Sequence, residues 1–230
     1  MHPYMSQATP VARQPLTAEF TDPDQVRHHF VEIQAVLFDL DGTLVDSDPA
    51  IHRHTVRWAH RHALDPDTVV RVSQGRRDID FIRELVPHAD AEAELAWFDE
   101  VSVADSGDVA PAPGARRLLA DLPAGSWAVV TSATRPVAYS RLAAAGLPVP
   151  ELLVCAGDVA QGKPSPQGYL AAARRFDADP ARCLVIEDSE VGLLAARAAG
   201  MPALAVAGPR TPVHGRRIED LDALRVISGR

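Results

Sequence analysis

The sequence predicts an α/β fold with a parallel β-sheet core and an inserted α-helical domain. Short apolar runs alternate with helix-like segments, the first run ends abruptly in acidic residues, and a helix-like stretch at residues 51–110 interrupts the alternation. Strands that alternate with helices pair in parallel and place helices on both faces of the sheet. The 230 residues are enough for one such domain with a small insertion. We therefore expect a Rossmann-like core with a helical cap.

Five short apolar runs are predicted to form the strands of the sheet. Each contains four or five residues, mostly valine, leucine, isoleucine and alanine. Such near-continuous apolar runs are typical of parallel strands, which are buried on both faces. The predicted strands are residues 35–39, 127–131, 152–155, 183–187 and 203–206.

Helices are predicted between the later strands from their end signals. Proline favours the first helical turn, serine is a good N-cap residue, and glycine often ends a helix. On these signals the predicted helices are residues 136–145, 166–175 and 191–199, with Ser165 and Ser189 as the expected N-caps of the last two.

The stretch 51–110 contains three helix-like segments and no convincing strand. The segments are residues 51–63, 79–86 and 91–103. Pro111 and Pro113 mark the return of the chain to the main domain. The predicted domains are therefore a core of residues 35–50 and 111–230 and a helical cap of residues 51–110.

Residues 1–34 are predicted to be a flexible N-terminal extension. Prolines at positions 3, 10, 15 and 23 interrupt any helix of useful length in this segment. A short helix is expected only near residues 24–30.

The candidate functional residues follow the predicted strands. Ligands of an open parallel sheet bind at the carboxyl ends of its strands, so polar residues at those ends should meet in one crevice. They are Asp39 and Asp41 after the first strand, Thr131 and Ser132 after the second, Glu187 and Asp188 after the fourth, and Lys163 in the loop before a helix.

Four carboxylates at one sheet edge would repel one another, and this repulsion favours a bound divalent cation. Carboxylate oxygens shared with a phosphate suit Mg²⁺. The alternative interpretation is a set of carboxylates that cap neighbouring helices. Helix capping would explain one or two of these carboxylates. It would not explain four carboxylates at two strand ends together with a lysine. The sequence therefore predicts a phosphate-handling magnesium site.

Four short motifs carry a resemblance to the haloacid dehalogenase superfamily. Residues 39–47, Asp-Leu-Asp-Gly-Thr-Leu-Val-Asp-Ser, resemble its first motif, and residues 130–132, Val-Thr-Ser, resemble its second. Lys163-Pro164 resembles the third motif, and residues 186–189, Ile-Glu-Asp-Ser, resemble the fourth. The resemblance extends from about residue 35 to residue 210, and the motifs stand in the order that this superfamily uses.

The resemblance implies catalytic roles for four residues. Asp39 is expected to be the nucleophile that forms an aspartyl-phosphate. Asp41 is expected to protonate the leaving alcohol and then to activate water. Thr131 is expected to bind a phosphate oxygen, and Lys163 to neutralise Asp39 and the phosphoryl group.

The resemblance also implies the magnesium ligands. Asp39, Asp188 and the backbone carbonyl of Asp41 are expected to hold Mg²⁺, with Glu187 orienting metal-bound water. Asp41 further narrows the range of reactions that the resemblance implies, because dehalogenase members of the superfamily lack an acid at this position. Its presence favours phosphoryl transfer from and to oxygen.

The spacing of the motifs places the cap after the first motif. Thr131 follows Asp41 by 90 residues, whereas Lys163 follows Ser132 by only 31, which one helix and one strand already fill. Caps in this position resemble lids that close on small substrates. Within the cap, the loop containing Arg76 and Arg77 is predicted to bind substrate together with Ser132. The alternative is that both arginines cap a helix C-terminus.

These features favour a phosphatase that acts on a small sugar or polyol phosphate. The nearest resemblance is to bacterial sugar-phosphate and glycerol-phosphate phosphatases. A mutase similar to β-phosphoglucomutase is the main alternative, although Thr43, Ser47 and Ile51 depart from the mutase pattern. A catalytically silent binding protein is the second alternative, and the intact set of catalytic residues disfavours it.

The composition limits which kinds of partner the protein is expected to bind and where in the cell it is expected to be. A formal net charge of −8 disfavours nucleic-acid binding, and no apolar run is long enough to span a bilayer. Cys155 and Cys183 lie in apolar runs and are expected to be buried reduced thiols. With no readable signal peptide, we expect a cytoplasmic monomer or weak dimer whose partner is a small phosphorylated metabolite.

Overall fold

The computed structural model describes residues 14–208 and 215–228. Within these ranges, strands β1 to β11 are Leu16–Thr21, Arg27–Ile33, Ala35–Phe38, Val45–Asp46, Ala110–Pro111, Trp127–Val130, Leu153–Val154, Cys183–Glu187, Ala203–Val206, Arg217–Ile218 and Leu224–Ser228. Helices α1 to α8 are Asp48–Arg61, Pro66–Ser73, Asp78–Leu85, Ala91–Ala104, Ala115–Asp121, Arg135–Ala144, Gln167–Phe176 and Glu190–Ala198.

The core is a parallel sheet with helices against both faces. Among the described residues its six strands have the order β10-β9-β8-β3-β6-β7, and every neighbouring pair is parallel. β3 lies inside the sheet, and its residues alternate between two apolar clusters: Val36 and Phe38 face one, Ala35 and Leu37 the other. The predicted α/β fold class is confirmed.

The predicted core elements agree with the observed ones to within one residue at each end. All five predicted strands lie in this sheet, and the three predicted helices correspond to α6, α7 and α8. Ser189 is the N-cap of α8, because its Oγ accepts a hydrogen bond from Gly192 N at 3.2 Å. The predicted N-cap Ser165 is wrong by one residue, since α7 has Pro166 at that position.

The predicted flexible extension and its short helix are wrong for residues 16–33. β1 and β2 form an antiparallel hairpin, and β1 also pairs with β11 near the C-terminus. Leu16, Ala18 and Phe20 alternate inward and join the main apolar cluster, as the period of a strand requires. Pro15 and Pro23 do not oppose this, because both lie outside the strands. Residues 1–13 of the predicted extension lie outside the described residues.

The cap consists of helices α1 to α4, which lie between β4 and β5. These helices enclose an apolar cluster of their own, in which the ring of Trp58 packs edge-on against Phe81 with 5.6 Å between ring centres. β4 and β5 pair antiparallel, so the chain leaves and re-enters the core at one place. This pairing supports the division at residues 51 and 110, which stays a prediction.

No helix within the described ranges combines sufficient length with sufficient apolar character to cross a bilayer.

Candidate active site

Strands β3 and β8 bring three carboxylates together at the edge of the sheet. Phe38 lies opposite Ile186 in the parallel register. The next residues, Asp39 directly after β3 and Glu187 at the end of β8, therefore lie side by side at the edge of the sheet. One carboxylate oxygen from each of Asp39, Glu187 and Asp188 lies within 4.8 Å of the other two. All three residues are buried, so their charges are poorly screened by water.

Lys163 supplies positive charge beside this carboxylate cluster. Its Nζ donates hydrogen bonds to Asp39 Oδ1 and, over 2.7 Å, to Glu187 Oε1. It also lies 5.4 Å from the centre of the Tyr169 ring. Burial acts to lower the pKa of Lys163, but the carboxylates of Asp39 and Glu187 outweigh burial and raise it well above its ordinary value. Lys163 is therefore an ammonium ion at neutral pH.

Glu187 is fully buried and is held by Lys163 and Ser189. Its Oε2 accepts from the backbone N of Ser189 at 2.7 Å, and the Ser189 hydroxyl donates from 3.1 Å. Gly192 makes room for this carboxylate, because a Cβ at that position would lie 1.7 Å from Glu187 Oε1. The contacts make Glu187 a positioning residue for Lys163, and its predicted role toward metal-bound water stays a prediction.

The charge balance at Asp39 fits a bound divalent cation. Burial raises the pKa of Asp39 well above its ordinary value; Lys163 opposes this effect, and Glu187 and Asp188 add to it. One ammonium cannot neutralise three carboxylates. Asp188 accepts a hydrogen bond from Thr43 Oγ1 at 3.3 Å. The carboxylate of Glu187 is already held by hydrogen bonds from Lys163 and Ser189. The other two carboxylates, those of Asp39 and Asp188, therefore offer the hard oxygen ligands that Mg²⁺ prefers.

Asp41 is held by a different pair of neighbours from those of Asp39. Ser47 Oγ donates to its Oδ1 at 2.6 Å, and Arg141 Nη1 donates to its Oδ2 at 2.6 Å. Asp39 and Asp41 both line the same cavity. Two neighbouring carboxylates in distinct surroundings are what an acid and a nucleophile require, because each role needs its own protonation state.

Arg141 is a functional candidate that the sequence analysis missed. It lies on α6 four and three residues after Val137 and Ala138, both buried, and its own side chain is only 9% exposed. Residues three and four apart share a helix face, so Arg141 stands on the apolar face of α6. A charged residue on that face is the signal in the sequence that could have identified it.

The second motif joins the core to the cap. Thr131 Oγ1 accepts from Ala133 N at 3.0 Å, and Ser132 Oγ donates to the backbone carbonyl of Gly75 at 2.8 Å. Gly75 has a φ of +67°, and a Cβ there would lie 2.5 Å from Val191 Cγ2. The cap loop therefore approaches the core at a point where only glycine fits without displacement.

The two adjacent arginines of the cap loop have different environments. All five N–H groups of Arg77 are used: Nε and Nη2 bind Asp80, and Nη1 and Nη2 bind the carbonyls of Ala156, Val159 and Ala160. Arg77 thus fastens the cap to the core with all of its donors, and its predicted role in substrate binding stays a prediction. Arg76 lines the cavity and binds Glu84 at 2.7 Å.

The cavity between cap and core has a volume of about 220 Å³. Lys163 and Glu187 lie behind Asp39 and do not line it, and Arg77 lies outside it. The predicted site residues that do line it are Asp39, Asp41, Arg76, Thr131, Ser132 and Asp188.

Asp78 is a second candidate that the sequence analysis missed. It is the first residue of α3 and lines the cavity from the cap side. Burial raises its pKa to about 7; Arg141 opposes this shift, and Asp99 and Asp41 add to it. Its role depends on the placement of the cap over Arg141, which local sequence does not reveal.

An insertion directly after the first sheet strand, above a carboxylate-rich edge, defines an enzyme of the haloacid dehalogenase type. The chain belongs to the haloacid dehalogenase-like hydrolase family, which matches residues 33–200. The family resemblance stated from the motifs is thereby confirmed.

Relatives with curated names include phosphatases. Hexitol phosphatase A of Escherichia coli (strain K12) is 40% identical over 191 residues, or 81% of this chain and 87% of that protein. Glycerol-1-phosphate phosphohydrolase 2 of Saccharomyces cerevisiae is 32% identical over 77% of this chain and 76% of that protein. The predicted enzyme class, phosphoric monoester hydrolase, is confirmed by the family and these relatives.

Solved structures show the same fold. The crystal structure of CbbY from Rhodobacter sphaeroides in complex with phosphate has a TM-score of 0.71. It is 24% identical and covers 82% of this chain and 95% of that one.

Proposed function

We propose that this chain is a magnesium-dependent phosphatase that hydrolyses a small sugar or polyol phosphate through an aspartyl-phosphate on Asp39. The observation that carries the proposal is the pair of carboxylates in one cavity, with Asp39 held by Lys163 and Asp41 held by Arg141 and Ser47. The names of the relatives, a hexitol phosphatase and a glycerol-1-phosphate phosphohydrolase, support the substrate class.

The proposed first step is attack by Asp39. A carboxylate oxygen of Asp39 bonds to phosphorus while the bond from phosphorus to the ester oxygen breaks. Asp41 gives its proton to the departing alkoxide, so the leaving group departs as a neutral alcohol. Lys163 remains charged throughout and offsets the negative charge of Asp39 and of the phosphoryl group that approaches it.

The proposed second step is hydrolysis of the aspartyl-phosphate. Asp41, now ionised, takes a proton from a water molecule that attacks phosphorus, and Asp39 is released with inorganic phosphate. Mg²⁺ held by Asp39, Asp188 and the backbone carbonyl of Asp41 would neutralise the phosphoryl oxygens in both steps. Thr131 and Ser132 are proposed to hydrogen-bond those oxygens.

The charges of the cap disfavour the mutase alternative. A mutase must also bind the second phosphate of a bisphosphate, which calls for cationic side chains at the far end of the cavity. Arg76 is the arginine of the cap loop that lines the cavity, and it is paired with Glu84. Asp78 adds an acidic side chain to the same side, and its ionised form would repel a phosphate.

Phosphate release from a panel of sugar, polyol and nucleotide monophosphates tests the proposal. Wild-type protein with Mg²⁺ should release phosphate from at least one sugar or polyol ester, and Asp39→Asn should reduce the rate by several orders of magnitude. Asp46→Asn is a matched control, because Asp46 belongs to the same motif and is exposed. A wild-type rate no higher than that of Asp39→Asn on every ester would reject the proposal. Conversion of β-glucose 1-phosphate to the 6-phosphate without free phosphate would favour the mutase.

A further inference from the structure

Arg141 presents unused hydrogen-bond donors to the cavity. A guanidinium carries five N–H groups, and in the part of the chain that the structure describes Arg141 makes one hydrogen bond, to Asp41. Its side chain is 9% exposed and lines the cavity. Its other N–H groups can be reached from the cavity, because Arg141 belongs to the cavity lining. They are therefore available to donate hydrogen bonds to a ligand oxygen.

Asp78 presents unused acceptors to the same cavity from the cap. Within residues 14–208 and 215–228 its carboxylate accepts no hydrogen bond, although it is the first residue of α3 and is partly buried. By contrast, the neighbouring carboxylate Asp99 accepts from Thr134 Oγ1 at 2.6 Å. Asp78 and Arg141 are close enough for their charges to interact, so both groups face one region of the cavity.

We propose that Arg141 and Asp78 bind hydroxyl groups of the leaving alcohol and select a polyhydroxy leaving group. The inference rests on the proposed phosphatase function. A hydroxyl group both donates and accepts, so it can accept from an N–H group of Arg141 and donate to Asp78. Arg141 already binds Asp41, the proposed acid, which places the hydroxyl-binding groups next to the alcohol that leaves.

The same geometry disfavours an acidic leaving group. A carboxylate on the leaving group could accept from Arg141 but would have nothing to donate to the ionised form of Asp78. It would also lie beside the acidic side chains of Asp41 and Asp78, whose ionised forms repel it, and the two arginines that line the cavity already pair with Asp41 and Glu84. The chain should therefore prefer a polyol phosphate over an ester such as 2-phosphoglycolate. Asp78 would then be the specificity-determining residue of the cap.

Paired substrates test this inference. Glycerol 1-phosphate and a hexitol 6-phosphate carry free hydroxyls next to the ester, whereas p-nitrophenyl phosphate carries none. Asp78→Ala should lower kcat/KM for the polyol esters by about 10-fold to 100-fold, the usual effect of losing a hydrogen bond to a charged group. Its loss on p-nitrophenyl phosphate should be at least tenfold smaller. Relative activity on 2-phosphoglycolate should rise, because a repelling charge is removed.

A matched control separates specificity from stability. Asp67→Ala removes an exposed carboxylate from the first turn of another cap helix and should change kcat/KM less than twofold on every ester. Asp78→Asn keeps one acceptor oxygen and provides a second variant if the alanine protein does not fold; it should lose less on polyol esters than the alanine variant does.

The outcomes distinguish the two proposals. If wild-type protein hydrolyses no ester, both the proposed function and this inference are overturned. If wild-type protein hydrolyses polyol phosphates but the Asp78 variants lose equal factors on all esters, the inference alone is overturned. A wild-type preference for 2-phosphoglycolate over the polyol esters would also overturn it.

Discussion

Arg141 Nη1 lies 2.6 Å from Asp41 Oδ2, so the second carboxylate of the first motif is tied to a helix of the core, α6. Ser47 binds the other oxygen of the same carboxylate. With both oxygens held, the side chain of Asp41 is fixed relative to the cavity before substrate enters. Such preorganisation is what proton transfer to a leaving group requires, because small displacements of a catalytic group are costly.

Replacing Asp41 should separate the two proposed steps. With p-nitrophenyl phosphate, whose leaving group needs little protonation, Asp41→Asn should form the aspartyl-phosphate and then stall. We expect a burst of nitrophenol no larger than the enzyme concentration, followed by turnover reduced about 10²-fold to 10⁴-fold. Rapid-mixing absorbance measurements check this, and steady turnover at the wild-type rate would contradict the role of Asp41.

Arg77 should matter for stability more than its neighbour Arg76. Arg77→Ala leaves the carbonyls of Ala156, Val159 and Ala160 without their donor and should cost about 3 kcal/mol of the free energy of unfolding. Arg76→Ala removes a pair with an exposed partner, Glu84, and should cost less than about 1 kcal/mol. Urea denaturation of both variants measures the difference, and equal losses would show that Arg77 does not fasten the cap.

Asp78 should make stability depend on pH. Its pKa is raised to about 7 in the folded protein, so between about pH 4 and pH 7 the unfolded chain loses this proton while the folded protein keeps it. The carboxyl therefore destabilises the fold increasingly as pH rises through this window, and the effect is constant above it.

Asp78→Asn should remove this contribution. The free energy of unfolding of Asp78→Asn minus that of wild type should be near zero at pH 4, grow up to pH 7 and then level off, with a ceiling of about 4 kcal/mol. Urea denaturation of both proteins at several pH values gives the difference. A difference that falls between pH 4 and pH 7 would contradict the raised pKa.

Gly75 should be needed for the cap loop to approach the core. Gly75→Ala would place a Cβ 2.5 Å from Val191 Cγ2 at a positive φ, so the loop must move or strain, at a cost of about 1–3 kcal/mol. We expect lower stability and a kcat/KM reduced about tenfold or more, because the loop lines the cavity. Gly107→Ala is the control, since its Cβ would have no atom within 4 Å. Similar behaviour of the two variants would contradict the close approach.

The core could be predicted from the sequence because its signals are local. Each buried strand is a short apolar run, and the parallel register carries the residues after β3 and β8 to one edge. The N-terminal sheet was missed because Pro15 and Pro23 were interpreted as interruptions. Both in fact flank the strands, and the partner strand β11 lies more than 200 residues further along the chain.

The missed site residues depend on tertiary placement. Arg76 and Arg77 are adjacent in sequence, and only the packing of the cap decides that one faces the cavity and the other the core. Asp78 gains its raised pKa from burial at the cavity between cap and core and not from its sequence neighbours. α2 was missed although Asp65 and Pro66 carry the start signals of a helix, and Asp65 does accept from Thr68 N at 3.0 Å.

The most direct test of the proposed mechanism is to locate the phosphoryl group during turnover. The Asp41→Asn protein, mixed with Mg²⁺ and radiolabelled p-nitrophenyl phosphate, whose leaving group needs little protonation, would be quenched in acid, digested and mapped by mass spectrometry. We predict one phosphoryl group per chain, on the peptide that contains Asp39, and none in the Asp39→Asn protein. Label on another residue, or phosphate release by Asp39→Asn at the wild-type rate, would contradict the assignment of Asp39 as the nucleophile.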